Sequence, residues 1–141
     1  MDRRLLAPLL AACLLGLSPG LWCGQAEKEP SPDSQEKELK SRFPASKKPV
    51  LVDFWASWCE PCRVTGPIVD RIERAFGGKL RVVRVQADKN PELSKAFNVQ
   101  YLPTLLLIQN GKVVQRWEGT VSEKSLKAGI EKMLGIEKPP T

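Results

Sequence analysis

Val50-Leu51-Val52-Asp53-Phe54-Trp55-Ala56-Ser57-Trp58-Cys59-Glu60-Pro61-Cys62 is the stretch on which the reading of this chain turns. Its first six residues are an almost unbroken apolar run, rich in β-branched and aromatic side chains and interrupted by Asp53 alone. Such a run suits a strand buried on both faces. Beyond Cys62 the spacing changes: Val64, Ile68, Ile72 and Phe76 recur at helical intervals until Gly77-Gly78 stops the pattern, and Pro67 is expected to kink the helix. The two cysteines therefore fall where a buried strand gives way to a helix start. Two thiols spaced by two residues there can close a small disulfide with little backbone motion. Cys59 is the natural nucleophile, because unpaired N–H groups and the helix dipole stabilise a thiolate and draw its pKa down from the ~8.5 of free cysteine. Cys62, shielded inside the first turn, is suited to resolve a mixed disulfide.

Outward from this stretch, residues 80–86 read as a second strand. Asn90-Pro91 is a cap followed by proline at the first helical position, opening a short helix to about Phe97. Residues 104–109 and 112–117 flank Asn110-Gly111, a strong hairpin signal. Ser122 caps a last helix through Leu134, with Leu126, Ile130, Met133 and Leu134 facing inward. Upstream, residues 34–43 read as a short helix in which Leu39 and Phe43 are i, i+4 apolar contacts, ended by Pro44. The order α-β-α-β-α-β-β-α predicts an α/β fold: a central mixed sheet of four strands with helices on both faces, its parallel pair joined by a right-handed crossover.

The 141 residues suffice for one domain, and 42% apolar against 27% charged residues fits an ordinary globular core. The net charge of +6 comes from Lys and Arg scattered among acids, with no basic block, so nucleic acid is not an expected partner. The chain has no histidine, which removes Ser-His-Asp and Cys-His catalysis and His metal sites together. A zinc site built on Cys59 and Cys62 would need two further ligands, so no metal is expected. A Cu(I) ion held by the two thiolates and a static structural disulfide remain as alternatives to redox turnover.

Residues 1–26 open with Arg3 and Arg4, continue with an apolar run from Leu5 to Leu17, and close on small residues before Glu27. They read as an export signal cleaved after Ala26, as a retained anchor close to the ~20 residues a spanning helix needs, or as a lipid-attached segment through Cys13. Each alternative places the rest of the chain outside the cytoplasm, in the periplasm or cell envelope. Cleavage would also remove Cys13 and Cys23, leaving Cys59 and Cys62 as the remaining thiols. Residues 27–33 are polar and proline-broken, a linker to a domain over residues 34–141.

The run from Val52 to Cys62 resembles the active-site signature of the thioredoxin family. Leu102-Pro103-Thr104 resembles its cis-proline loop, and Asn110-Gly111 and Gly119 match its later landmarks. The resemblance runs from about Lys48 to Leu134. The interval from Cys62 to Pro103 is that of ordinary thioredoxins, without the insertion of the cytochrome-maturation branch. Two features depart: the first strand of a full thioredoxin is not evident before Ser34, and Glu60 stands where glycine is usual. The Cys-Glu-Pro-Cys centre is similar to those of extracytoplasmic reductases in cytochrome c maturation.

The resemblance implies a thioredoxin fold and a thiol–disulfide oxidoreductase that needs no cofactor beyond its own Cys59–Cys62 disulfide. Asp53 would be the buried acid that moves the Cys62 proton, its pKa raised by burial. Pro103 would be cis and, with Trp58, Leu102 and Gly119, would bind substrate. Arg84 stands where thioredoxins usually carry a lysine near the acid, and reads equally well as a solvated strand residue. Glu60 and Pro61 tune the pair: a negative charge beside Cys59 disfavours its thiolate and points to a reducing couple. The expected partners are proteins with disulfides and a membrane electron donor, the chain acting as a monomer, with attachment to a membrane open through its N-terminal segment. The alternative on the same fold is a peptide- or Cu(I)-holding module that does not turn over.

Overall fold

Val50–Trp55 forms strand β1, and its buried residues explain its position in the sheet. It is an interior strand, parallel to β2 (Arg81–Gln86) on one side and antiparallel to β3 (Thr104–Gln109) on the other. Strand β4 (Lys112–Glu118) returns antiparallel to β3 and completes the order β2-β1-β3-β4. The hairpin turns at Asn110 and Gly111, whose φ values of 53° and 72° are the left-handed pair that such a two-residue turn requires. The computed structural model describes residues 48–136 together with Lys37 and residues 41–43. The expected signal or anchor, the linker and most of the helix expected over residues 34–43 lie outside the described residues. Lys37, Ser41 and Arg42 are helical, and Phe43 is buried in the core.

Among the described residues three α-helices cover the two faces; they are the last three of the four helices in the predicted order, the first lying mostly outside the described residues. Alternation along β1 sends Val50, Val52 and Phe54 to one face, where they pack with Phe43 and with Leu93 of α2 (Pro91–Ala96). Leu51 goes to the other face and meets Val69 and Ile72 of α1 (Glu60–Phe76) and Leu126 and Ile130 of α3 (Glu123–Leu134). Each such side chain contributes roughly 1.5–3 kcal/mol by leaving water, so this double-sided core fixes the height and tilt of β1 and α1. Asp53 shares the face of Leu51. It is the one buried carboxyl among the described residues, on the side of the sheet that α1 covers.

Two details of the helices differ from expectation. The inward stripe of α1 is Cys62, Thr65, Val69, Ile72 and Phe76, whereas Val64 is exposed and Ile68 only half-buried. Helical spacing permits both stripes; the Cys62 stripe is the one that faces the sheet because the helix begins at Glu60, a turn earlier than the apolar pattern shows. The buried Thr65 is tolerated because its hydroxyl donates to the Pro61 carbonyl at 3.1 Å. Pro67 lies within a continuous helix, which Gly77 ends at φ 51° by donating its N–H to the Arg74 carbonyl. Asn90 does occupy the cap position of α2, but its side chain donates back to the Gln86 carbonyl at 2.9 Å and makes no cap bond to the helix.

Candidate active site

The end of β1 and the first turn of α1 are joined by four residues, and the cap of that turn is a thiol. Cys59 is the N-cap of α1, and its Sγ accepts the Cys62 N–H at 3.2 Å, a place usually taken by a serine or aspartate oxygen. The Cys59 N–H in turn donates to the Ala56 carbonyl at 3.2 Å. The two sulfurs form a disulfide, with Cα atoms 5.3 Å apart. The sequence reading treated Cys62 as the shielded thiol, yet overall burial does not separate the two: Cys59 is 4% exposed and Cys62 7%. What separates them is the surface each one meets. Cys59 opens on a groove of about 510 Å³ with Trp58, Pro61, Val99, Tyr101 and Leu102, while Cys62 meets a second groove of about 460 Å³ with Gly66, Asp70 and Arg84.

The first groove is open and lined largely by apolar and aromatic side chains. Trp58 and Tyr101 are both large and exposed, 71% and 62%, and line the groove with Cys59. Of the residues expected to bind substrate, Trp58 and Leu102 line this groove. The Leu102–Pro103 peptide is cis, and the Pro103 carbonyl accepts the N–H of Gly119, whose φ is 74°, at 2.8 Å. The loop is tied down further by Thr104, whose hydroxyl donates to the Tyr101 carbonyl at 2.7 Å. Arg116 of β4 reaches back to donate to the carbonyls of Phe97 and Asn98, at 2.8 and 2.7 Å. Glu60 stands at the rim, exposed and paired with Arg63 at 3.3 Å. Trp55 is half-buried against the cysteine pair.

The strand that leads into the cysteine pair carries the acid. Asp53 is buried, and its Oδ1 has no hydrogen-bond partner among the described residues. Burial pushes its carboxyl up to about 6, the Arg84 guanidinium pulls it down and the Asp70 charge raises it again. Arg84 sits directly across from Asp53 in the β1–β2 register, with its Nε 3.8 Å from Asp53 Oδ2. Its Nη2 makes shorter contacts to α1, donating to the Gly66 carbonyl at 2.8 Å and to Asp70 Oδ1 at 2.7 Å. Arg84 is exposed on its edge strand, yet its guanidinium is anchored between α1 and Asp53 and lines the groove at Cys62.

Tyr101 and Asp70 were not singled out from the sequence, though each carries a signal. Tyr101 is an aromatic residue immediately before Leu102-Pro103. Cys62, Gly66 and Asp70 stand four residues apart on one stripe of a helix, so whatever meets Cys62 also runs past Asp70. Among the described residues no group of three or more Cys, Asp or Glu side chains could hold a metal ion, and no helix is long and apolar enough to cross a membrane.

The sequence model of the family described as Thioredoxin matches residues 31–132. Thioredoxin 1 of Nostoc sp. is 42% identical over 99 residues, covering 70% of this chain and 92% of its own length. Chloroplastic thioredoxin Y of rice, Oryza sativa subsp. japonica, is 31% identical over an alignment of 143 residues that covers 96% of this chain and 85% of its own. Among solved structures, thioredoxin-2, described as a component of malaria parasite protein secretion machinery, superposes with a TM-score of 0.59 at 30% identity, over 60% of this chain and 82% of that one.

Proposed function

Because this chain belongs to the thioredoxin family, cofactor-free thiol–disulfide oxidoreductases that act on protein disulfides, we propose that it reduces such disulfides outside the cytoplasm. The observation that carries the reading is the placement of Cys59: helix cap, acceptor of a backbone N–H, and open to the apolar groove. In the reduced protein the Cys59 thiolate attacks one sulfur of a substrate disulfide bound along Trp58, Leu102, Pro103 and Gly119. A Cys59–substrate disulfide forms, and the other substrate sulfur leaves as a thiolate and takes a proton from water. Cys62 then gives its proton to the Asp53 carboxylate and attacks Cys59 Sγ. The Cys59–Cys62 disulfide forms, the second substrate sulfur leaves with the electron pair, and Asp53 returns its proton to solvent. Two electrons pass to the substrate, and a membrane carrier restores the dithiol of this monomeric domain. A module that only holds a peptide or Cu(I) would not accelerate the reduction of insulin by dithiothreitol; this protein should, and failure to do so overturns the reading.

Support for the direction of flow comes from the cap. A strong oxidant of this kind stabilises its reduced thiolate, and the Glu60 carboxylate beside Cys59 works against that. The pairing of Glu60 with Arg63 tempers the effect. The couple should therefore lie nearer the about −270 mV of thioredoxin than the about −120 mV of the periplasmic oxidant. Replacing Glu60 with His should raise the potential by roughly 10–30 mV, since about 30 mV corresponds to about one pKa unit of thiolate stabilisation. A wild-type value above about −180 mV, measured against glutathione, would overturn the reductase direction. The location rests on Arg3, Arg4 and the apolar run that follows them. Recovery of all the full-length chain, unprocessed, in the cytosol would overturn it.

A further inference from the structure

Arg84 is shared between two carboxylates and does not divide itself equally. Its Nη2 is anchored twice on α1, to Asp70 Oδ1 at 2.7 Å and to the Gly66 carbonyl at 2.8 Å, whereas its approach to Asp53 is the longer one, Nε to Oδ2 at 3.8 Å. The guanidinium is a rigid fork, so two donors' worth of anchorage at one end decides where the other end can point. Asp53 Oδ1 is left with no partner among the described residues, although a cation with five N–H donors lies within reach of the same carboxyl. A guanidinium released from α1 would be free to close on that carboxyl with two parallel hydrogen bonds. Such a fork would hold Asp53 ionised and occupy the lone pairs that must accept a proton.

We propose that Asp70 is a positioning residue of the proton step: with the Gly66 carbonyl it holds the Arg84 guanidinium off Asp53, leaving the Oδ1 of that carboxyl free to take a proton. The proposal rests on the reading of Asp53 as the group that takes the Cys62 proton. Its balance is that of the step above: the Cys62 S–H bond breaks, an Asp53 O–H bond forms, and no electron moves until the Cys62 thiolate attacks. The groove at Cys62 is the place where this arrangement meets solvent, because Cys62, Gly66, Asp70 and Arg84 line it together. Gly66 contributes a backbone carbonyl alone, so Asp70 is the one anchor of Arg84 that a side-chain substitution can remove.

Among the described residues, the charged groups that act on Asp53 are Arg84 from β2 and Asp70 from α1; Cys62 and Arg63 of α1 line the groove with that pair, Arg63 being paired with Glu60. From β3 Asp53 meets Leu105 in register, which does not titrate. Two effects of Asp70 on Asp53 must therefore be told apart, its own negative field and its hold on Arg84. Both vanish in Asp70→Asn and both then favour ionised Asp53. The hold requires Arg84, while the field does not.

The experiment follows the Asp53 carboxyl by carbon-13 NMR through a pH titration of the oxidised full chain, in which the disulfide keeps Cys59 and Cys62 from titrating. Asp70→Asn should move the Asp53 midpoint toward acid by roughly half a unit or more, and Asp70→Glu, which keeps the anion, should restore most of it. In an Arg84→Gln background the same Asp70→Asn change should move the midpoint clearly less, because only the field remains. An unmoved midpoint overturns the proposal, and so does an equal shift with and without Arg84. Turnover is not involved in the titration, so these failures concern the positioning role alone. The proton-step reading fails separately, if turnover of the wild-type protein proves indifferent to Asp53.

Discussion

Asp53→Asn is expected to fold more stably than the wild-type chain at pH 8, by roughly 3 kcal/mol, and to turn over more slowly. The first part follows from linkage. The carboxyl is 3% exposed, and its pKa rises from 3.8 in the unfolded reference to about 6 in the folded protein. The folded state therefore binds the proton more tightly, and the stability this supplies is fully present below about pH 3.8 and is lost as pH rises through about 6. A shift of about two units at about 1.36 kcal/mol each amounts to about 3 kcal/mol at pH 8, where the wild-type protein must bury a charge. Asparagine keeps the shape and removes the charge, although its amide still faces the site where Oδ1 has no partner, so about 3 kcal/mol is the upper end. Urea unfolding of both proteins at pH 3.5 and pH 8 checks it. The midpoints should nearly coincide at the lower pH and separate at the higher; a constant separation would show that ionisation of Asp53 is not the cause.

The loss of turnover in the same variant is expected to be on the order of 100-fold at neutral pH, the low end of what a positioned base contributes. The gain and the loss share one origin. A carboxyl buried without a full set of partners is costly in the folded state, and the same lack of partners lets it accept a proton near neutral pH. Arg84 at 3.8 Å moderates the cost without removing it.

How much of this was legible in the sequence depends on whether the signal was local. The run from Val50 to Cys62 carries its own information, since an apolar strand, a pair of thiols and a helix start lie within thirteen consecutive residues. The turn at Asn110-Gly111 is equally local, because two left-handed residues in a row demand that pair of residue types. The inward face of α1 was not legible from apolar residues alone. Thr65 and Cys62 are polar or ambiguous by type, and they are buried because the sheet lies beneath them. Arg84 could be read as a solvated strand residue until the β1–β2 register set it opposite Asp53. Tyr101 belongs to a groove assembled from segments far apart in sequence, and only the folded chain brings it beside Cys59; Asp70 shares a helix with Cys62, but its partner Arg84 comes from another strand.

The two cysteines should prove sharply unequal when each is replaced by serine. Cys62→Ser is expected to accumulate protein mixed disulfides, joined through Cys59 and stable until a reductant is added; Cys59→Ser should capture essentially none, and both should lose insulin reduction to background. Attack requires only Cys59, whose sulfur sits at the helix cap with a backbone N–H directed at it and opens on the groove of Trp58, Tyr101 and Leu102. Release requires a second thiolate three residues on, and a serine hydroxyl ionises far too weakly to supply one. Mass mapping of the captured species identifies the sulfur used, and adducts on Cys62 in the Cys59→Ser chain would reverse the assignment. Asp53→Asn adds a third, intermediate behaviour that joins the two predictions. It leaves the attack of Cys59 intact and slows the deprotonation of Cys62, so mixed disulfides should rise and then decay in a rapid acid quench, where the wild-type chain shows almost none and Cys62→Ser holds them. A variant that instead slowed the first appearance of the adduct would place the proton of Asp53 in the attack and not in the release.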